Sequence, residues 1–164
     1  MTLFRRFALI LCIAFWQGGF MFYGGVVVPV GASVLGSETE QGFITQAVTN
    51  YLNIAGVVCV IVWAVALRFD GPRASRTARA GWILWSLIAA ALSIQTGLHA
   101  VMDRWLDTAS RTILDERKFL RFHEAYITTS TIQWLLCLAL LAVTLGAWST
   151  PKDSLSHSDG RGSG

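Results

Sequence analysis

Phe43–Leu67 reads F-I-T-Q-A-V-T-N-Y-L-N-I-A-G-V-V-C-V-I-V-W-A-V-A-L and contains no charged side chain. At a rise of about 1.5 Å per residue, a helix of this length crosses the roughly 30 Å hydrocarbon core of a bilayer. Arg68, Asp70, Gly71-Pro72, Arg73, Arg76 and Arg79 follow at once, so the run ends in a basic loop. Three further runs of the same character, Phe7–Val30, Gly81–Val101 and Ala125–Trp148, are separated by short polar stretches. Together they predict an all-α integral membrane four-helix bundle over residues 1–150. The polar, glycine-rich segment 151–164 reads as a disordered tail, with His157 inert within it.

Composition agrees. The chain is 54% hydrophobic and 14% charged, with a mean hydropathy of +0.53, whereas soluble domains carry about 25% charged residues. The formal charge of +3 is small and its arginines flank apolar runs, which fits topology and lipid headgroups and gives no basic stripe for nucleic acid. Cys12, Cys59 and Cys137 all lie inside apolar runs without C-x-x-C spacing, so they read as small hydrophobes and not as a disulfide framework.

The first run is longer than the roughly 7–15-residue core of a cleaved signal peptide, which predicts an uncleaved span. Pro29 suits its last turn or exit. The segment Gly31–Gly42 has Glu38 and Glu40 but no Lys or Arg, in contrast to the Arg68–Arg79 loop. Basic residues beside short loops stay in the cytoplasm, which predicts both termini inside. The loop Met102–Glu124 is then outside, although it mixes five basic residues with Asp103, Asp107, Asp115, Glu116 and Glu124. Leu106, Ala109, Ile113 and Leu120 stand near helical spacing there, with Asp107, Arg111 and Asp115 four apart. That pattern predicts either a short interfacial helix anchored by Trp105, or spans three and four extending past the membrane. Trp63, Trp82, Trp85 and Trp148 fall where an aromatic belt is expected, and Trp16 and Trp134 lie deeper, as core packing would place them.

Polar side chains in hydrocarbon require partners or a task. Gln46, Asn50 and Asn53 share a helical face at i, i+4 and i+7. Gln95 lies one turn below His99 and Asp103 one turn above it, and His123, Tyr126, Ser130 and Gln133 follow i, i+3, i+7 and i+10. With Gln17 in the first span, all four spans offer polar groups to the outer half of the bundle. Two readings follow. The amides and hydroxyls are interhelical glue, worth about 0.6 kcal/mol each; or Gln46, Asn50, Asn53, Gln95, His99, Tyr126, His123 and Gln133 line a ligand pocket. Gly18, Gly19, Gly24 and Gly25, and Ser86, Ala90, Ser93 and Gly97, read as close-packing surfaces.

His99 and His123 read either as interfacial histidines hydrogen-bonded to Asp103, Glu124 or lipid headgroups, or, with Asp103, as a transition-metal or haem site, since neutral imidazole ligates both. There is no H-E-x-x-H, no phosphate-binding glycine loop and no Ser/His/Asp constellation, and the loops are too short for a catalytic domain. The expectation is a non-enzymatic membrane protein with a polar pocket that binds a small ligand or metal, or a small subunit of a homo-oligomer or larger complex. The alternative is a haem- or metal-dependent electron carrier using His99 and His123.

F-W-Q-G-G-F-M-F-Y-G-G-V-V-V-P-V (Phe15–Val30), the Thr45–Gly56 stretch and H-E-A-Y-I-T-T-S-T-I-Q-W (His123–Trp134) resemble a family of small bacterial four-span proteins with a domain of unknown function, grouped with the eukaryotic transmembrane protein 205. The resemblance implies a four-helix membrane fold in a bacterial cytoplasmic membrane and brings no reaction or binding residues with it. By analogy with the eukaryotic member it suggests a part in handling small compounds or metals at membranes.

Overall fold

A computed structural model of the protein describes residues 2–70 and 76–149, and the readings made above for Gly71-Pro72, Arg73 and the 151–164 tail lie outside them. The first span is α1 (Thr2–Phe22), a π-helical turn (Tyr23–Val27) and α2 (Val28–Leu35); α3 is Glu38–Asp70, α4 Arg76–Met102 and α5 Glu116–Ser149. All four helical stretches are long and apolar enough to cross a membrane. Large apolar side chains such as Phe15, Tyr51, Ile61 and Leu135 point outward along them. This is an all-α four-helix integral membrane protein.

Pro29 is not at the helix exit. It sits in the first turn of α2, directly after the π-helical turn, within the span. A proline in a helix interior removes one donor and crowds the carbonyl four residues back. The chain accommodates this by widening the preceding turn, and the Val28 N–H donates to the Tyr23 carbonyl five residues earlier. Gly36, at φ 65°, ends α2 in the left-handed conformation, which glycine adopts without a Cβ penalty. Ser37 then caps α3 by accepting a 3.2 Å hydrogen bond from the Glu40 N–H. Tyr23 of the π-helical turn donates to Thr45 Oγ1 at 3.3 Å and accepts from the Gln41 amide at 3.4 Å, tying α3 to the widened turn.

The loop before α5 is not an interfacial helix. A short 3-10 turn, Asp103–Trp105, leads into an antiparallel pair of β1 (Leu106–Asp107) and β2 (Thr112–Ile113), with Leu106 opposite Ile113. Asp107 closes the connection by accepting from the Ala109 and Ser110 amides at 2.9 and 3.3 Å and from the Ser110 hydroxyl at 2.7 Å. These local bonds offer the backbone a turn in place of a helix. Arg111, at φ 53°, completes the reversal, and its guanidinium pairs with Glu40 at the head of α3. Asp115 caps α5 through the Lys118 N–H at 3.0 Å.

The Ser110 hydroxyl, followed by the Ala109 amide, holds the Asp107 carboxyl below its ordinary value of 3.8. The folded carboxylate therefore gives up stability only at low pH. Its contribution is full above 3.8 and is lost as pH falls through the depressed folded value. Exchange of the Ala109 and Ser110 amides, measured against intrinsic rates, should accelerate below that pH, and Asp107→Asn should remove the dependence.

The core runs the length of the bundle through Leu9, Ile13, Trp16, Cys59, Trp63, Ile88, Leu92, Cys137 and Leu140. Trp16 packs there as expected, and all three cysteines are free. Trp63 and Trp85 depart from the belt. Trp63 is fully buried and donates to Thr144 Oγ1 at 3.2 Å, and Trp85 donates to the Val60 carbonyl at 2.9 Å. The glycine surfaces expected in the first span are also unused inside the bundle. Side chains added at Gly18, Gly24, Gly25 and Gly97 would meet nothing within 4 Å, and only Gly19 approaches a neighbour, Leu52. Ser86, Ala90 and Ser93 likewise face outward.

Candidate functional site

The polar residues gather at the end of the bundle that carries the β pair, opposite the end that carries Arg5, Arg6, Arg68, Arg76 and Arg79. At the mouth, the Gln46 amide of α3 donates to Asp103 Oδ1 at 2.8 Å. The other carboxylate oxygen lies 3.4 Å from His99 Nδ1. Asp103 is about one-third exposed and His99 is 5% exposed, so the carboxylate stands between solvent and a buried imidazole. The His99 ring meets Tyr126 of α5 edge-on, with centroids 6.5 Å apart. One arm of a polar column therefore runs from α3 through the end of α4 to α5.

Deeper in the bundle, the Gln95 amide donates to Gln133 Oε1 at 2.7 Å, and the Gln133 amide donates to the Ile88 carbonyl at 3.3 Å. Both side chains are buried. The Trp63–Thr144 bond fixes the register of the parallel helices α3 and α5, and the same offset brings Asn53 level with Gln133. Gln17 of α1 donates to Cys137 Sγ, one turn along α5, at 3.5 Å. Each of the four spans thus contributes one amide to a single layer of the bundle.

The structure divides the expected pocket residues. Gln46, Asn53, Gln95, Tyr126 and Gln133 turn inward or reach across helices, but Asn50 is exposed on the outer surface. The inward stripe of α3 is Thr49, Asn53, Gly56, Cys59 and Trp63, at helical steps of three and four. Asn50 follows Thr49 by one residue, a rotation of about 100° away from that stripe. Asn53 is 9% exposed and makes no hydrogen bond among the described residues, and the second ring nitrogen of His99 is also without one. Thr49, buried beside them at 7% exposure, was not distinguished by any spacing signal in the sequence.

His123 does not join His99 and Asp103. Its ring lies flat against Phe119 of the same helix, 6.0 Å between centroids and 9° from parallel. Among the described residues no three His, Cys, Asp or Glu side chains are placed to hold a metal ion. His99 has Asp103 and Tyr126 beside it, and His123 has Phe119, so the structure does not bring the two imidazoles together.

No curated protein and no solved structure matches the chain. A family model does match, over residues 11–110, which takes in most of the first span, the second and third spans, His99 and Asp103. The chain belongs to the family of the domain of unknown function DUF4149.

Proposed function

We propose that the protein is a non-enzymatic membrane protein that admits a small polar molecule at the mouth formed by Gln46, His99, Asp103 and Tyr126. The ligand class is a hydrogen-bond donor, because Asp103 offers acceptor oxygens and the neighbouring imidazole has a free nitrogen. The observation that carries this reading is Asn53. Its side chain is nine-tenths buried and finds no partner among the described residues, yet its amide N and O are not sealed off from water, and it lies at the level of the Gln95–Gln133 pair, below the mouth. A water or a ligand polar group bound at that level would satisfy it.

The test is cysteine labelling in a background lacking Cys12, Cys59 and Cys137, with 2-aminoethyl methanethiosulfonate added to intact cells. Asn53→Cys should react from the Asp103 side, with Arg111→Cys reporting which side that is. Reaction at Arg111→Cys together with complete protection of Asn53→Cys would overturn the reading and leave the amides as helix glue. By the positive-inside rule we assign the arginine end to the cytoplasm of a bacterial cell, and we extend the kinship to the transmembrane protein 205 group on the residues quoted above.

Asn50 favours a second reading, a small subunit of a homo-oligomer or larger complex. Its exposed amide stands among outward apolar side chains, Tyr51 and Ile54, with no partner among the described residues. Lipid supplies none, whereas a facing helix does. Asn50→Cys in the same labelling series distinguishes the two, since a disulfide-linked dimer on mild oxidation marks a subunit contact between copies.

A further inference from the structure

The opposite end of the bundle carries a feature that the polar column does not use. Arg5, Arg6, Arg68, Arg76 and Arg79 cluster there, while the acidic side chains described in the structure, from Glu38 and Glu40 to Glu124, belong to the other end. Arg6 is the informative member. Its guanidinium lies 4.9 Å from the centre of the Trp148 ring. Its Nε is buried and donates to nothing, and no ion pair reaches it among the described residues. A half-buried guanidinium with an idle N–H is a good anion receptor, because its planar fork suits two oxygens at once.

Trp148 also forms a wall of a shallow cleft where α3, α4 and α5 meet, lined by Leu67, Thr77, Trp82, Val143 and Thr144. The cleft is mainly apolar, and Trp82 at its rim is 38% exposed on the outer surface of the bundle. The positive end of the α4 dipole, at Arg76, lies at the same level. One tryptophan therefore separates a cation that has no ion-pair partner among the described residues from a largely apolar groove. That is the order in which a phospholipid presents its phosphate and its acyl chain. A soluble anion would use the arginine but leave the groove without an occupant.

We infer that this end of the protein binds an anionic phospholipid, with Arg6 on the phosphate and the start of one acyl chain along the Trp148–Trp82 cleft. Charge complementarity selects an anionic headgroup over a zwitterionic one, and the groove selects a lipid over a free phosphate.

Native mass spectrometry of the full chain, released from nanodiscs of phosphatidylglycerol and phosphatidylcholine with matched chains, tests it. Wild type should retain phosphatidylglycerol preferentially, and Arg6→Gln should reduce that retention about fivefold, the factor expected for one arginine at an anionic surface. Arg104→Gln, an exposed arginine at the other end, should leave retention unchanged, and millimolar inorganic phosphate should not displace the lipid. Equal retention of the two lipids by wild type would overturn the proposal, as would equal losses in the two arginine variants or displacement by phosphate alone. If Arg6→Gln does not fold, Trp148→Leu, which removes both the platform and the cleft wall, carries the same expectation.

Discussion

Gln133→Leu lowers the stability of the bundle by about 2 kcal/mol, and the double variant Gln95→Leu/Gln133→Leu recovers most of that loss. The single change leaves the Gln95 amide without its 2.7 Å acceptor and the Ile88 carbonyl without its side-chain donor, both in the buried interface of α4 and α5. Interhelical hydrogen bonds in membranes average about 0.6 kcal/mol, because separated helices find other partners. The larger figure here comes from the stranded group. A buried amide left unpaired costs about 1–3 kcal/mol, whereas replacing both partners by apolar groups of similar shape is nearly neutral. Reversible unfolding in mixed micelles, run as a double-mutant cycle, measures the coupling directly. Additive losses would mean that the two amides do not depend on each other. They would then reassign Gln133 to the Ile88 carbonyl and Gln95 to the polar column above it.

The same pair illustrates what a sequence of this kind makes legible. That Gln95 and Gln133 lie at similar depth follows from the return of the chain between two apolar runs, and their meeting follows from the cost of leaving either in hydrocarbon. The four-span architecture is readable for the same reason, since length and hydropathy report transfer into lipid. The phase of each helix is not readable in that way. In a soluble bundle the apolar stripe marks the interior, but lipid is as apolar as a protein core, so Ile61 facing lipid and Ile88 facing the core carry the same signal. Asn50 and Asn53 show the consequence. Both are amides in one span, three residues apart, and only Asn53 faces inward. Trp63 and Trp85 show it again, at belt depth yet hydrogen-bonded within the bundle.

Of the two readings of the loop, the extended fourth span agrees with α5, which starts at Glu116, and the interfacial helix is absent from Leu106–Ile113 for a different reason. The spacing of Leu106, Ala109 and Ile113 imitates a helical stripe, but Asp107 supplies the local acceptor for two backbone amides and Arg111 adopts a left-handed conformation. Turn chemistry of that kind outweighs a three-residue periodicity in so short a segment. The widened turn before Pro29 was legible in principle. A proline inside a run too long to end there has to displace the hydrogen bonds of the preceding turn, here Tyr23–Val27.

Gly56→Val should cost about 3 kcal/mol, the upper end of the usual range for overpacking a filled interface. A Cβ at Gly56 would stand 2.8 Å from Cε2 and Cζ2 of the Trp16 ring and 2.9 Å from its Nε1, closer than real Cβ atoms come to anything. The contrast with Gly31 makes the case specific. There the added Cβ would also collide, but with the terminal amide of Gln41, a flexible side chain that can move aside by giving up its 3.4 Å bond to Tyr23. Trp16 has no such freedom, because it is 3% exposed and sits in the cluster with Ile13, Cys59 and Trp63. Relief therefore requires α1 and α3 to separate, which would open the packing on which the register of Gln17 and Asn53 depends. In a Trp16→Leu background, itself less stable, Gly56→Val should cost under about 1 kcal/mol, since the smaller side chain leaves room for the valine. The same loss in both backgrounds would show that the glycine answers to the α3 backbone and not to the indole. An unchanged stability in wild type would mean that the two helices are held apart by other contacts.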